Sequence, residues 1–310
     1  MDQHKIVFVI GLHRSGTSVL HRILRSHSMV SGFHGTGFPE DEGQYLQDVY
    51  PKTFDLGGPG LFGFHPDARL TEESPLASPE TAERLFSQWS RHWDLGKPIL
   101  IEKTPQHVLM TRFLQALFPD SRFIVILRHP FANALATQKW SHTSLTMLVD
   151  HWIHCHTLLM EDLQKLRSCM VFQYESFVRT PEEYVGRIYD FLSIPAEPIR
   201  ERINAGSNAT YQELWNAAAA RHKDINTPAY DQWRRKNWRV NRYLLKPLLK
   251  RVWGEDAMIV NLHREIAYLT ARHDAGLRNF GYRADEFGVP GLHGGDLRTA
   301  PIVAPSPTPA

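Results

Sequence analysis

The chain has 310 residues, of which 42% are hydrophobic and 22% are charged. This composition is sufficient for a sizeable core and excludes a wholly disordered chain. The 35 Lys plus Arg nearly balance the 33 Asp plus Glu, so the net charge of +2 indicates no general affinity for polyanions, and we predict no nucleic-acid partner.

Two cysteines, Cys155 and Cys169, exclude a disulfide framework and a multi-cysteine zinc site. No apolar run reaches the roughly 20 residues that span a bilayer. The apolar run at 6–10 is also too short for a signal peptide. We therefore expect a soluble, cytoplasmic protein without a transmembrane segment.

The first predicted elements are a strand over 6–10, a glycine-bounded loop over 11–16 and a helix that starts near Gly16. The strand sequence IVFVI is β-branched and aromatic, which is typical of a central parallel strand that is covered on both faces. Residues 31–78 are rich in Gly, Pro and acidic residues and show no period. We predict a long irregular insertion there, of the kind that often carries function.

Strands and helices alternate after the insertion. Short apolar runs predict the strands, and apolar residues at helical spacing predict the helices. The further strands are predicted over 98–101, 122–127 and 170–173, and the further helices over 79–93, 105–117, 130–140, 145–166 and 181–192.

This alternation indicates an α/β fold of three layers, with a central parallel sheet between helices. The right-handed crossover rule places the carboxyl ends of the strands, and the loops that follow them, at one edge. We predict one domain over 1–295, mainly helical over 200–285, and a disordered Pro-rich tail over 296–310. The loops at the shared edge are 11–18, 102–104, 128–130 and 174–176.

The loop after the first strand reads GLHRSGTS over 11–18 and has the G-x4-G spacing of a Walker A loop. A Walker A loop carries Lys after the second Gly, where this chain has Thr17. Backbone N–H groups, hydroxyls and the helix N-terminus can still hold a phosphate, and Arg14 returns a cation to the loop. The pattern favours a short anionic group on the 5′ side of a nucleotide. An ordinary strand–turn–helix with incidental glycines is the alternative.

The segment GLHRSGTSVL resembles the 5′-phosphosulfate loop of sulfotransferases, which use 3′-phosphoadenosine 5′-phosphosulfate (PAPS). Three further segments match in order. IEKTP at 101–105 looks like the E-K-T-P segment of the heparan branch, and FIVILRHP at 123–130 is similar to the strand that ends in the 3′-phosphate arginine. FQYESF at 172–177 resembles the Y-E-D-L segment.

The resemblance covers roughly residues 5–195 and mixes features of the bacterial-type, tyrosylprotein and heparan branches; an Arg in the 5′ loop also occurs in the tyrosylprotein branch. It implies a central sheet of P-loop-NTPase-like topology. It also implies sulfuryl transfer from PAPS to an acceptor hydroxyl or amine, with a general base and without a metal.

By this resemblance Arg128 would bind the 3′-phosphate, for which its guanidinium fork is suited. The family usually places Ser eight residues later, where this chain has Ala136, so Thr137 or Ser141 would supply the hydroxyl. Tyr174 would face the adenine, with a buried sheet-end tyrosine as the alternative. The 5′ loop maps onto Arg14, Ser15, Gly16, Thr17 and Ser18.

In sulfuryl transfer the main tasks of the protein are to position the reactants and to stabilise charge. Arg14 would neutralise charge on the oxygen between sulfur and phosphorus, and Lys103 is the second candidate for that charge. Glu102 matches the general base of the heparan branch and is our first candidate base; a salt-bridged loop Glu is the alternative. His34 is the rival base, or a loop His without a chemical role. The acidic pair at 41–42 could orient either base or bind the acceptor.

Two other clusters carry less information. Histidines at 151, 154 and 156 with Cys155 invite a metal interpretation, but on a helix only the first two share a face, and we predict no metal site. The basic segment WRRKNWR at 233–239 could close over a 3′-phosphate or form a solvated helix face.

The acceptor is expected to be a small molecule, a glycan or a lipid, bound by the insertion at 31–78 and the region beyond 200. The oligomeric state stays open. A P-loop small-molecule kinase is a competing function, which Thr17 disfavours, and a non-catalytic nucleotide-binding protein is another.

Overall fold

The computed structural model describes residues 3–141, 143–220, 268–284 and 287. Within them, five strands form one sheet in the order β2-β3-β1-β4-β5, and every pairing is parallel. The predicted α/β fold with a central parallel sheet is confirmed. The strands are β1 Lys5–Ile10, β2 Val30–Gly32, β3 Ile99–Lys103, β4 Arg122–Leu127 and β5 Cys169–Gln173.

Helices follow most of the strands, as the crossover connections of a parallel sheet require. A further helix covers 268–278. The others are α1 Thr17–Arg25, α2 Pro79–Trp89, α3 Thr111–Leu117, α4 Pro130–Ser141, α5 Leu145–Leu163, α6 Tyr174–Arg179, α7 Pro181–Leu192 and α8 Ala209–Ala220.

The two faces of the sheet bury different side chains, because neighbouring residues of a strand point to opposite faces. Val7 and Val9 of β1 belong to a core that includes apolar residues of α1, α6 and α7. Phe8 points to the other face, where its ring stacks on Phe123 and packs beside Trp89 of α2. Helices therefore cover the sheet on both faces, which gives the three predicted layers.

Several predicted boundaries are confirmed, and others are wrong for local reasons. The strand over 122–127 and the helix over 181–192 are observed with the predicted bounds. The predicted helix over 105–117 is divided at Met110 into a 3-10 turn over Pro105–Leu109 and helix α3. The predicted loop over 174–176 is instead the first turn of α6, and the edge strand β2 was not predicted.

The segment 31–78 is ordered through short turns rather than through regular elements. After β2 it forms four 3-10 turns, over Pro39–Asp41, Gly43–Tyr45, Phe62–Phe64 and Pro66–Ala68. Many of its residues are buried. The insertion is therefore part of the packed protein.

The described residues fall into two compact units. The first contains 3–128 and 151–205, and the second contains 129–141, 143–150, 206–220, 268–284 and 287. The single domain over 1–295 stays a prediction, and the basic segment 233–239 and the tail over 296–310 lie outside the described residues. None of the helices in the described part is both long and apolar enough to cross a membrane.

The second unit has its own aromatic core. Phe131 at the start of α4 stacks on Trp215 of α8, with ring centres 4.4 Å apart. The Phe287 ring packs against both of these rings and against His129. These contacts join α4 and α8 of the second unit.

Candidate active site

The loop between β1 and α1 turns through two residues with left-handed backbone. Arg14 has φ 66° and Gly16 has φ 98°. A side chain at Gly16 would be strained, and its Cβ would lie 2.5 Å from Cδ2 of Tyr174. Helix α1 begins directly afterwards, and no described side chain caps Gly16. The first N–H groups of a helix and its dipole favour an anion at this position.

Arg128, which follows β4, closes the other side of this loop. Its Nη1 donates to the backbone oxygen of Arg14 at 2.7 Å, and its guanidinium carbon lies 4.7 Å from the centre of the Tyr174 ring. Arg128 and Tyr174 are only 6% and 5% exposed. The predicted residues Arg14, Gly16, Arg128 and Tyr174 therefore lie together at the carboxyl ends of β1, β4 and β5.

The hydroxyl residues of the loop have different environments. Ser15 and Thr17 are buried. The Ser18 hydroxyl donates to the Glu40 carboxylate at 3.0 Å, and the Glu40 backbone oxygen accepts from Lys103 Nζ at 3.1 Å. The acidic segment 40–42 of the insertion thus links the start of α1 to the end of β3.

Lys103 is almost fully buried at the end of β3, and its Nζ lies 3.0 Å from Oε1 of Glu42. The Gln44 amide donates to the second Glu42 oxygen at 2.5 Å. Burial raises the pKa of Glu42, although the Lys103 charge opposes this effect. Burial, together with the charges of Lys103 and Arg14, lowers the pKa of His13 to about 3. A neutral imidazole therefore stands in the loop beside Arg14.

Glu102, the first candidate base, is fully enclosed. Its Oε1 accepts from the Gly43 N–H at 3.0 Å and from the Thr104 hydroxyl at 2.6 Å. Its Oε2 lies 2.8 Å from Nδ1 of His107, and Nε2 of His107 lies 2.8 Å from the Tyr50 hydroxyl. All five residues are buried. This network ties the insertion to the end of β3, and residue spacing alone gave no sign of it.

His34, the rival base, lies near the surface. Its side chain is 69% exposed, and its Nδ1 lies 3.8 Å from Oδ2 of Asp41. Oδ1 of Asp41 accepts from the N–H and the hydroxyl of Thr36, each at 2.8 Å. Burial acts to raise the pKa of Asp41, but these hydrogen bonds outweigh it and lower the pKa. The Asp41 carboxylate is therefore ionised at neutral pH.

Thr137 and Ser141, the predicted substitutes for the missing serine, lie on α4 and are described with the second unit. Thr137 is 2% exposed, and its hydroxyl has no hydrogen-bond partner among the described residues. Such a group is costly to bury unless something binds it. The neighbouring Ala136 is buried as well.

The histidines of α5 act within the core. His151 Nε2 accepts from the Gly63 N–H at 3.0 Å and lies 3.5 Å from Sγ of Cys155. The Nδ1 atom of His156 lies 2.7 Å from a backbone oxygen one turn earlier. Burial lowers the pKa of His156 to about 4. The described residues contain no group of three or more His, Cys, Asp or Glu side chains arranged to hold a metal ion.

The family follows from the comparison with known proteins. The model of the Sulfotransferase family matches residues 7–198. The chain belongs to the sulfotransferase family. The resemblance seen in the four motifs is thereby confirmed.

Curated relatives of this sulfotransferase-family chain are distant. It is 24% identical over 244 residues to a protein-tyrosine sulfotransferase of Drosophila melanogaster, covering 74% of this chain and 46% of that one. It is 22% identical over 257 residues to the nodulation protein NoeE of Sinorhizobium fredii, covering 74% and 60%. An uncharacterised Aquifex aeolicus protein is 25% identical over 212 residues, covering 62% and 26%. The chain thus spans between a quarter and three fifths of the length of these relatives.

Two solved structures are similar at low identity. The sulfotransferase domain from the curacin biosynthetic pathway is 18% identical, with a TM-score of 0.40, covering 66% of this chain and 82% of that chain. A sulfotransferase from Alicyclobacillus acidocaldarius is 14% identical, with a TM-score of 0.42, covering 74% and 99%.

Proposed function

We propose that the chain transfers a sulfuryl group from PAPS to an acceptor hydroxyl or amine. The observation that carries this proposal is the convergence of the 11–18 loop, Arg128 and Tyr174 at one edge of the sheet. PAPS carries a 5′-phosphosulfate and a separate 3′-phosphate. The loop and the start of α1 suit the first anion, and the Arg128 guanidinium suits the second. By the resemblance Tyr174 would face the adenine, and a hydroxyl from Thr137 stays a prediction.

In this reaction the acceptor oxygen attacks sulfur as its proton passes to a base. The bond between sulfur and the bridging oxygen then breaks, and adenosine 3′,5′-bisphosphate leaves. Negative charge grows on the bridging oxygen, so cations near it accelerate the reaction. We assign this role to Arg14 and Lys103, in agreement with their positions in the loop and at the end of β3.

Three groups compete for the role of base: Glu102, His34 and Glu42. Glu102 is the base of the resembled motif, but its side chain is fully buried, and its Oε1 accepts two hydrogen bonds. His34 is exposed to water. Glu42 lies against Lys103 and has a raised pKa, which brings a carboxylate nearer to the working range of a general base. We therefore propose Glu42 as the base, with Glu102 and His34 as the alternatives.

Thermal unfolding tests the donor. Adenosine 3′,5′-bisphosphate at 100 times its dissociation constant is expected to add about 2.7 kcal/mol to the free energy of unfolding, whereas Mg-ATP adds nothing. Stabilisation by Mg-ATP alone would favour a kinase and reject the proposal. If neither ligand stabilises the protein, the proposal is also wrong.

Three matched variants test the base: Glu42→Gln, Glu102→Gln and His34→Gln. Turnover is measured as release of adenosine 3′,5′-bisphosphate from PAPS in the presence of acceptor. Glu42→Gln is expected to lower kcat by 10²–10⁴-fold, which is the usual contribution of a general base, and to keep bisphosphate binding. If Glu102→Gln or His34→Gln shows a comparable loss of kcat while Glu42→Gln keeps full activity, the residue whose variant lost activity is the general base instead.

Two further expectations stay predictions. They are a small-molecule, glycan or lipid acceptor and a cytoplasmic location.

A further inference from the structure

An aromatic pair, with one ring exposed and the other half-buried, lies in the insertion close in the chain to the proposed base. The rings of Phe38 and Tyr45 are parallel within 6°, with centres 6.1 Å apart. Phe38 is 49% exposed. Phe38 is therefore available to a ligand.

The fold fixes this pair next to Glu42. Tyr45 ends the 3-10 turn over Gly43–Tyr45, and its N–H donates to the Glu42 backbone oxygen at 3.1 Å. Burial and then the Glu42 charge raise the pKa of the Tyr45 hydroxyl, in agreement with this proximity. Since Glu42 contacts Lys103, the pair lies near the groups assigned to the chemistry.

Two acidic residues follow Phe38 in the chain. Glu40 is exposed, and Asp41 is held ionised by Thr36. Both lie between Phe38 and Glu42 in the chain. The carboxylates of Glu40 and Asp41 repel an anionic ligand bound nearby and do not repel a neutral or cationic one.

We propose that Phe38 and Tyr45 form an acceptor subsite for a hydroxyl on a ring that has a flat apolar face and no negative charge. This inference rests on the proposed function. An aromatic face binds another ring, or the apolar face of a sugar, by stacking, and binds a cation through its π system. The adjacent carboxylate of Glu42 then takes the proton of the hydroxyl as its oxygen bonds to sulfur.

A charge series of acceptors tests the subsite, and its two arms distinguish phenols from sugars. The phenol arm compares 4-ethylphenol, tyramine and 3-(4-hydroxyphenyl)propanoate. The sugar arm compares methyl β-D-glucopyranoside with methyl β-D-glucopyranosiduronate. In the arm that reacts, kcat/KM for neutral and cationic acceptors is expected to exceed that of the anionic acceptor by about tenfold or more.

Variants locate the effect. Phe38→Ala is expected to raise KM for the preferred acceptor by about tenfold through lost stacking and burial, with kcat and bisphosphate affinity unchanged. Leu95→Ala is the control, because Leu95 is 45% exposed and precedes β3 at the opposite edge of the sheet. Glu40→Gln keeps an acceptor for the Ser18 hydroxyl, and it is expected to improve kcat/KM for the anionic acceptor alone.

Two results overturn the subsite. One is an anionic acceptor that reacts as well as its neutral partner, and the other is an unchanged KM in Phe38→Ala. If the protein binds adenosine 3′,5′-bisphosphate but sulfates no member of either arm, the subsite is wrong and the donor assignment stands. If it does not bind the bisphosphate, the proposed function itself fails.

Discussion

The guanidinium of Arg128 lies over the ring of Tyr174, with 4.7 Å between its central carbon and the ring centre. Its Nη1 also donates to the backbone oxygen of Arg14 in the 11–18 loop. The ring and the loop together restrict the planar fork to one orientation. An arginine fixed in this way loses little rotamer freedom when it binds a phosphate.

Replacing Arg128 tests whether it recognises the 3′-phosphate. Arg128→Ala removes a charge-assisted hydrogen bond of about 1.5–3 kcal/mol. The affinity for adenosine 3′,5′-bisphosphate is expected to fall by one to two orders of magnitude, while that for adenosine 5′-phosphate changes little. Calorimetric titration of both nucleotides measures the difference. If both affinities are unchanged, Arg128 does not contact the 3′-phosphate.

Gly16 is the tightest point of the loop. In Gly16→Ala the new methyl group would meet Tyr174, and the residue would keep a positive φ. We expect a loss of about 1–3 kcal/mol in the free energy of unfolding and weaker bisphosphate binding. Gly186→Ala in α7 is the matched control. Nothing lies within 4 Å of its added Cβ, so it should gain about 0.5–1 kcal/mol. If urea unfolding shows the same change in unfolding free energy for Gly16→Ala and Gly186→Ala, the close approach of Gly16 to Tyr174 does not restrict this position.

The buried network around Glu102 predicts that two variants, His107→Ala and Tyr50→Phe, lower the free energy of unfolding by different amounts. His107→Ala takes the ring away from the enclosed Glu102 oxygen and from the Tyr50 hydroxyl, and leaving buried polar groups unpaired costs about 1–3 kcal/mol each. Tyr50→Phe removes one hydrogen bond to His107 and costs about 1 kcal/mol. Urea unfolding at neutral pH measures both. A cost for His107→Ala no larger than that for Tyr50→Phe would show that the Glu102–His107 contact contributes little.

His21 predicts a dependence of stability on pH. Burial, followed by the charges of Lys103 and Arg25, lowers its pKa from 6.5 to about 3. His21 therefore binds a proton below about pH 6.5 in the unfolded chain, but only below about pH 3 in the folded chain. The stabilising contribution is complete above pH 6.5 and is lost as the pH falls, by up to about 1.4 kcal/mol per pH unit. His21→Gln is expected to flatten the curve of unfolding free energy between pH 6.5 and 4. Parallel curves for the two proteins would reject this explanation.

Long elements with a clear period could be predicted from the sequence. The apolar run of β4 and the apolar stripe of α7 determine their own limits. Strand β2 has only three residues, one of them Gly32, and so lacks a detectable alternation. Helix α6 has six residues and follows β5 without a loop, which leaves no room for a periodic signal.

The site could be predicted only where the chain order determines it. The crossover rule brought Arg14, Arg128 and Tyr174 to one edge, where they are observed together. The acidic residues at 40–42 look equivalent in the sequence, and only packing distinguishes buried Glu42 from exposed Glu40. The enclosure of Glu102 depends on contacts with residues far along the chain, which no local pattern encodes.

The central position of β1 has a consequence for synthesis on the ribosome. Its two neighbours in the sheet are β3 and β4, so the insertion and α2 must be translated before either edge of β1 can be paired. During that interval an apolar strand is exposed to other nascent chains, and unpaired edges of this kind are prone to aggregate. The order of strands that builds the site therefore also sets how long β1 stays unpaired during synthesis, namely until β3 at Ile99–Lys103 has been made.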